Sequence, residues 1–148
     1  MIWFILLNTL VSSIMSGIIW FVQVVHYPLF KSVSNKNFTD YQSKHVKLTG
    51  KVVGPFMVME LVVSTYIAFW NTHNELKFLI WTNWGLLIMI WLSTFFLQVP
   101  LHNRLLKGFD HTVHCSLVRS NWIRTCAWTV KMVLSLLLAE RYYGLYRF

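Results

Sequence analysis

Residues 78–99, FLIWTNWGLLIMIWLSTFFLQV, decide the fold. No side chain in this stretch is charged. Its length is close to the roughly 20 residues that cross the hydrocarbon core of a bilayer. Reading outward, residues 2–30, 46–70 and 117–139 repeat the pattern. Four spans and their connections use almost all of the 148 residues and leave no length for a soluble domain. The sequence therefore predicts one all-α domain over residues 1–148, an antiparallel four-helix transmembrane bundle. Residues 1–30 lack a basic start, run too long and show no small-residue cleavage site, so they are expected to be a retained span and not a signal peptide.

Composition agrees with this reading. The chain is 56% hydrophobic and 12% charged. Soluble domains carry about 25% charged residues. Eight Trp, six Tyr and eleven Phe are too many for so short a soluble chain and suit a lipid-facing surface. Cys115 and Cys126 lie eleven residues apart near or within one expected helix, too far along it to bridge each other easily, so they read as reduced packing residues.

Polar stretches set the connections. Residues 31–51 and 101–116 join spans one to two and three to four, with Asp40, Tyr41 and Gln42 at the start of a helix leading inward. Residues 71–77 form a short polar turn. Gly54-Pro55 is expected to kink span two, and span three is expected to stop at Pro100. The first and third connections hold Lys31, Lys36, Lys44, Lys47, Lys51, Arg104, Lys107, Arg119 and Arg124, against Lys77, Arg141 and Arg147 on the opposite side. By the positive-inside rule the basic side faces the cytoplasm and both termini face away from it. The net charge of +8 is then a collar that attracts anionic lipid and needs no nucleic acid to explain it. No internal repeat is evident.

Polar residues within a bilayer are costly and point to function. Span one ends with Gln23 and His26, span two begins with His45, span three ends with Gln98 and His102, and span four begins with Asn121, Arg124 and Thr125. The topology brings all of these to one end. His26, His45 and His102 come from three helices at one depth, and three imidazoles can hold a transition metal or two can hold haem. Each can equally be an interface histidine bonded to backbone or lipid phosphate. His111 and His114 fall in the connection and are expected to be solvated, and His73 lies at the other end.

Glu60 and Lys131 fall at matching depth, about 15–20 Å along their spans at a rise of about 1.5 Å per residue. Each alone would cost at least about 2.5–3.5 kcal/mol, so an ion pair is the cheapest arrangement, with protonation of Glu60, a proton relay, a substrate contact or, given other donors at that depth, a metal ligand as the alternatives. Met57 and Met59 beside Glu60 read as packing. Arg124 either snorkels to phosphate or clamps a carboxylate, a phenolate or a haem propionate. Trp70, Trp81 and Trp84 form one aromatic belt with Tyr142, Tyr143 and Tyr146, while Trp20, Trp91 and Trp128 sit deeper and either pack or wall a flat substrate.

The pair Val99-Pro100, with His102, and then Asn121, Arg124 and Thr125 resemble the exit from helix three and the approach to helix four of the anthrone-oxygenase-like family of small four-helix membrane proteins. Tyr27-Pro28 resembles that family's proline near the end of helix one. These motifs cover about a quarter of the chain, and His102 stands where the family more often has Asn. The resemblance implies oxidation of a flat polycyclic phenol by molecular oxygen without a metal; the extra histidines here depart from that pattern. A membrane oxidoreductase or oxygenase-like enzyme is therefore one expectation. It would take a hydrophobic small molecule laterally from the lipid bilayer, with His26, Asn121 and Arg124 catalytic and Gln23, Gln98 and Trp128 binding substrate. His26, His45 and His102 would ligate a metal if there is one. A non-catalytic subunit of a larger membrane complex, ligating haem or pigment or meeting partner proteins or further copies of itself, is the other. A transporter or channel fits less well, because four spans without a repeat seldom make a pore.

Overall fold

The computed structural model describes residues 1–145. Tyr146 and Arg147, assigned above to the terminal end, lie outside the described residues. Among the described residues the chain is all-α, without strands. Helix α1 spans Ile2–Phe21 and runs through a wide π-turn, Val22–His26, into a 3-10 turn, Pro28–Ser32. Helix α2 spans Asn35–Trp70. Helix α3, Lys77–Ser93, continues through a second π-turn, Thr94–Gln98, into α4, Val99–Leu105. Helix α5 spans His111–Gly144.

Four rods result, Ile2–Ser32, Asn35–Trp70, Asn74–Leu105 and His111–Gly144, each long and apolar enough to cross a membrane. Short connections make neighbours antiparallel. The first rod packs against the second and fourth, the third packs against the same two, and the remaining pairs face each other across a diagonal. One end carries the connections 1–2 and 3–4 and is called the histidine end below. The other, the terminal end, carries Met1, the last described residue Leu145 and the 71–76 turn.

Polarity is distributed inside out. Asn8, Ser12, Glu60, Ser64, Asn83, Lys131 and Ser135 are buried, while Trp3, Leu10, Val62, Phe78, Phe96 and Leu136 are exposed. Lipid-facing surfaces have this pattern, because bilayer hydrocarbon rewards apolar side chains and polar ones must find partners within the bundle. On α5 the residues Leu117, Asn121, Arg124, Trp128, Lys131, Ser135 and Leu138 are all buried, a three-and-four spacing that keeps them on one face. The chain is a multi-pass integral membrane protein.

Several element ends lie beyond those the sequence predicts. Span two starts at Asn35, eleven residues before the predicted Val46, because the polar segment after Ser34 continues the same helix out of the apolar zone. Span three does not stop at Pro100; the π-turn widens the backbone just before the proline and helix resumes through Leu105. Span four starts at His111 and not Leu117, capped by Asp110, whose carboxylate accepts from the Val113 N–H at 3.0 Å. The helix runs on through Pro55. Both cysteines are free, but Cys126 is exposed on the outer face and does not pack inside.

Candidate functional site

Two prolines shape the histidine end. A proline has no N–H, and its ring crowds the carbonyl four residues earlier. In both rods the chain answers with a π-turn closed by the residue just before the proline. The Tyr27 N–H donates to the Val22 oxygen at 2.9 Å, and the Val99 N–H donates to the Thr94 oxygen. The two widened turns carry Gln23 and His26 in one rod and Gln98 in the other.

Beside them lies a cavity of about 240 Å³. Its body is apolar, with Met15, Ile19, Val53 and Met57 among its walls, and its polar end is formed by Tyr27, His45, Thr49, Gln98, His102 and Arg124. Gly50 and Gly54 on α2 border it, and a Cβ added at either meets nothing within 4 Å. Val46 and Val99, also on its wall, are exposed on the outer face, so the cavity reaches the bundle surface between the second and third rods.

The polar end is a connected network. A 2.8 Å hydrogen bond joins His26 Nε2 to His45 Nδ1, and Thr49 Oγ1 lies 3.1 Å from the same His45 nitrogen. Gln42 Nε2 donates to His102 Nδ1 at 2.9 Å, which leaves the His102 Nε2–H to donate to the Tyr27 oxygen at 3.0 Å. The Tyr27 hydroxyl hydrogen is then available to the cavity. Gln42, His45 and Thr49 share one face of α2 by their three-and-four spacing.

Arg124 is 6% exposed, and its Nη1 donates to Asn121 Oδ1 at 3.2 Å. Asn121 in turn donates to Gln23 Oε1 at 2.8 Å, and Gln23 Nε2 donates to the Val118 carbonyl at 3.1 Å. The guanidinium lies over the Trp128 ring at 5.0 Å, a cation–π contact. The Tyr27 hydroxyl is close to the same guanidinium. Among the described residues Arg124 Nε and Gln98 Oε1 have no hydrogen-bond partner, and no carboxylate pairs with Arg124.

The structure therefore brings His26, His45, His102, Gln98 and Arg124 to one end of the bundle and puts the last four on the cavity wall. Gln23, Asn121 and Trp128, expected to touch substrate or take part in catalysis, stand behind Arg124 and hold it in place. Arg124, counted above with the basic collar, is buried. The three imidazoles do not fit the expected metal triad. They hydrogen-bond one another and their neighbours, and among the described residues no three His, Cys, Asp or Glu side chains are disposed to hold a metal ion. Ring centroids 4.7 Å apart for His26–His45 and 5.2 Å for His45–His102 leave no room for a haem plane between them. His114 is not solvated; it is 1% exposed, with Nε2 at 2.8 Å from the Tyr27 carbonyl oxygen. His111 is exposed beside Cys115.

Deeper in the bundle Glu60 Oε1 and Lys131 Nζ are 2.9 Å apart, both fully buried. Trp128 joins this pair to the site: its Nε1–H donates to Glu60 Oε2 at 3.0 Å while its ring supports Arg124. Trp20 is 42% exposed and donates to Thr129, so it faces outward and does not wall the cavity. Sequence reasoning gave no site role to Gln42, Thr49, Gly50 or Gly54 and cited Tyr27 only for the resemblance. The signals were present: the 42, 45, 49 spacing, and the position of Tyr27 just before a proline. No family model, curated protein or solved structure matches the chain.

Proposed function

We propose that this protein is a membrane oxidoreductase of the oxygenase-like kind, which draws a hydrophobic substrate from the bilayer into the cavity at the histidine end. The observation that carries the reading is the cavity itself: an apolar body ending in imidazoles, a tyrosine and a buried arginine. Apolar pockets with a few convergent polar groups are the usual form of small-molecule sites. The resemblance of Val99-Pro100 and Asn121-x-x-Arg124-Thr125 to the anthrone-oxygenase-like family supports the oxidative chemistry.

In such a reaction a CH₂ flanked by aryl rings and one O₂ become a C=O and one water. The carbon gives up four electrons, and dioxygen takes them. The first step is loss of a proton, and the side chains suit it. His45 on the cavity wall can accept the proton at Nε2 and release its Nδ1 proton to His26 Nε2, which lies 2.8 Å away and nearer the surface. A neutral imidazole offers one nitrogen as acceptor and one N–H as donor, so each ring can take up a proton on one side and pass one on from the other. Arg124 and the Tyr27 hydroxyl stabilise the charge that develops on the substrate oxygen, as preorganised donors do. The exposed lysines and arginines at the histidine end support an orientation with that end in the cytoplasm, by the positive-inside rule.

The test is oxygen uptake by purified protein in nanodiscs with a panel of flat hydroxyarenes. Turnover should fall by about 10²-fold or more in His26→Ala and Arg124→Ala, the scale of a lost proton-transfer or oxyanion partner. Unchanged rates in both variants would remove the assignment, and stoichiometric co-purification with other membrane proteins, with no uptake, would favour the accessory-subunit reading.

A further inference from the structure

The cavity holds an arginine whose charge no carboxylate among the described residues balances. Arg124 lies seven residues from Lys131 on α5, about 10 Å nearer the histidine end. Lys131 is fully compensated by Glu60, Ser12 and Asn8. Among the described residues Arg124 has only the neutral Asn121 oxygen, the Trp128 ring and the nearby Tyr27 hydroxyl. A buried guanidinium normally has an anion on its fork. Here Nη1 is used by Asn121, and Nε, on one edge of the guanidinium, has no hydrogen-bond partner among the described residues. That edge is one of the two that grip a carboxylate with paired donors.

The position of the cavity restricts the source of that anion. Its walls are mostly apolar, and it reaches the bundle surface beside Gly50 and Gly54, between exposed Val46 and Val99. A small hydrophilic anion would lose hydration there and gain little from Met15, Val53 and Met57. The cavity volume is about 240 Å³. That is far more than the roughly 10–15 Å³ that one water needs, and is room for a compact bicyclic body.

We propose that the resident ligand is a membrane-soluble aryl carboxylate, held by Arg124 and the Tyr27 hydroxyl and admitted from the bilayer past Gly50 and Gly54. This deepens the enzyme reading, on which it rests, by naming the substrate class: the charge is present on binding, not only in the transition state. Gln98 Oε1, on the same wall and unpartnered among the described residues, is an acceptor for a neighbouring hydroxyl on the ligand.

The probe is 2-naphthoate against its neutral methyl ester, measured by equilibrium dialysis with the full chain in phosphatidylcholine nanodiscs. The acid should bind at least tenfold tighter than the ester. Arg124→Gln should erase that preference while ester binding persists, which also reports an intact fold. Arg124→Lys should retain part of it. Gly54→Leu should weaken both ligands by filling the mouth. Equal affinity of acid and ester for the unaltered protein overturns the proposal, whatever the variants do, and so does a preference that survives Arg124→Gln. A second arm repeats the measurement with phosphatidylglycerol present at 0.5 M salt, where surface charge is screened. Unchanged naphthoate binding identifies a membrane-dissolved acid as the ligand; its displacement would assign Arg124 to lipid phosphate and overturn the proposal. Naphthoate binding without any oxygen uptake would sink the enzyme reading and leave this one standing. Oxygen uptake with neutral arenes alone, and no preference for the acid, would do the reverse.

Discussion

Glu60 and Lys131 belong to diagonally opposed rods, and their 2.9 Å contact closes the bundle across its centre. The buried polar side chains around it hydrogen-bond to the pair and to one another. Ser12 donates to Glu60 Oε1 at 2.7 Å and Trp128 to Oε2 at 3.0 Å. Ser64 and Lys131 donate to Asn8 Oδ1, and Asn8 and Asn83 donate to Ser135. A satisfied polar network of this kind specifies one packing of the four rods, and removing one charge leaves the other without compensation in a dry interior. Lys131→Met or Glu60→Gln should therefore cost about 3–5 kcal/mol, and the double variant less than the sum of the two. For a chain of this size that is a fall in Tm of roughly 10 °C for each single variant in detergent. Additive losses would show that the two charges are not coupled. The depth of both residues is legible in the sequence, because a charge inside an apolar run must be compensated. The roles of Asn8, Ser12, Asn83 and Ser135 are not: small and amide side chains on an apolar helix also serve close packing, and only the rotational setting of each rod decides which of them turn toward the pair.

At the scale of the element, hydropathy locates the spans but not their ends. Water as well as lipid supports a helix that is capped and packed, so α2 begins in polar sequence at Asn35, and α5 begins at His111 behind the Asp110 cap. Such extensions carry Gln42 and His114 into the core at the histidine end, at 0% and 1% exposure, although both sit in stretches that read as connection. The two π-turns escape a hydropathy reading altogether, yet both stand where proline forces an adjustment, at Tyr27-Pro28 and Val99-Pro100. An extra residue in a turn rotates everything before it relative to everything after it, so Gln98 and His102 hold their present bearings only while the wide turn persists. Pro100→Ala restores the N–H and removes the crowding at the Phe96 carbonyl. With the rod relaxed to a regular α-helix, Gln98 should leave the cavity wall. Folding stability should change little, and naphthoate affinity should drop by about tenfold. Unaltered affinity in a well-folded Pro100→Ala protein would mean that the π-turn is held by packing and not by the proline.

For the molecule as a whole, the buried polar levels, the cavity and the basic collar all bear on how the bundle sits in its membrane. The rods are 31, 36, 32 and 34 residues long. At about 1.5 Å per residue each exceeds the roughly 30 Å of hydrocarbon, so the rod ends project from it. The projecting histidine end exposes Lys31, Lys36, Lys44, Lys47, Arg104 and Lys107, whereas the terminal end exposes Lys77 and Arg141 among the described residues. By the positive-inside rule this asymmetry favours the histidine end inward, and protons leaving through His26 would then reach the cytoplasmic leaflet. The two free cysteines allow a direct check. Cys126 is exposed on the lipid-facing flank of α5, whereas Cys115 sits near the start of that helix beside His111, which is exposed. In a Cys126→Ser background, a membrane-impermeant maleimide should label Cys115 in sealed inside-out vesicles and leave it unlabelled in intact cells. Labelling from outside intact cells would invert the bundle, move the proton outlet to the opposite leaflet, and show that the collar of lysines and arginines does not set the orientation.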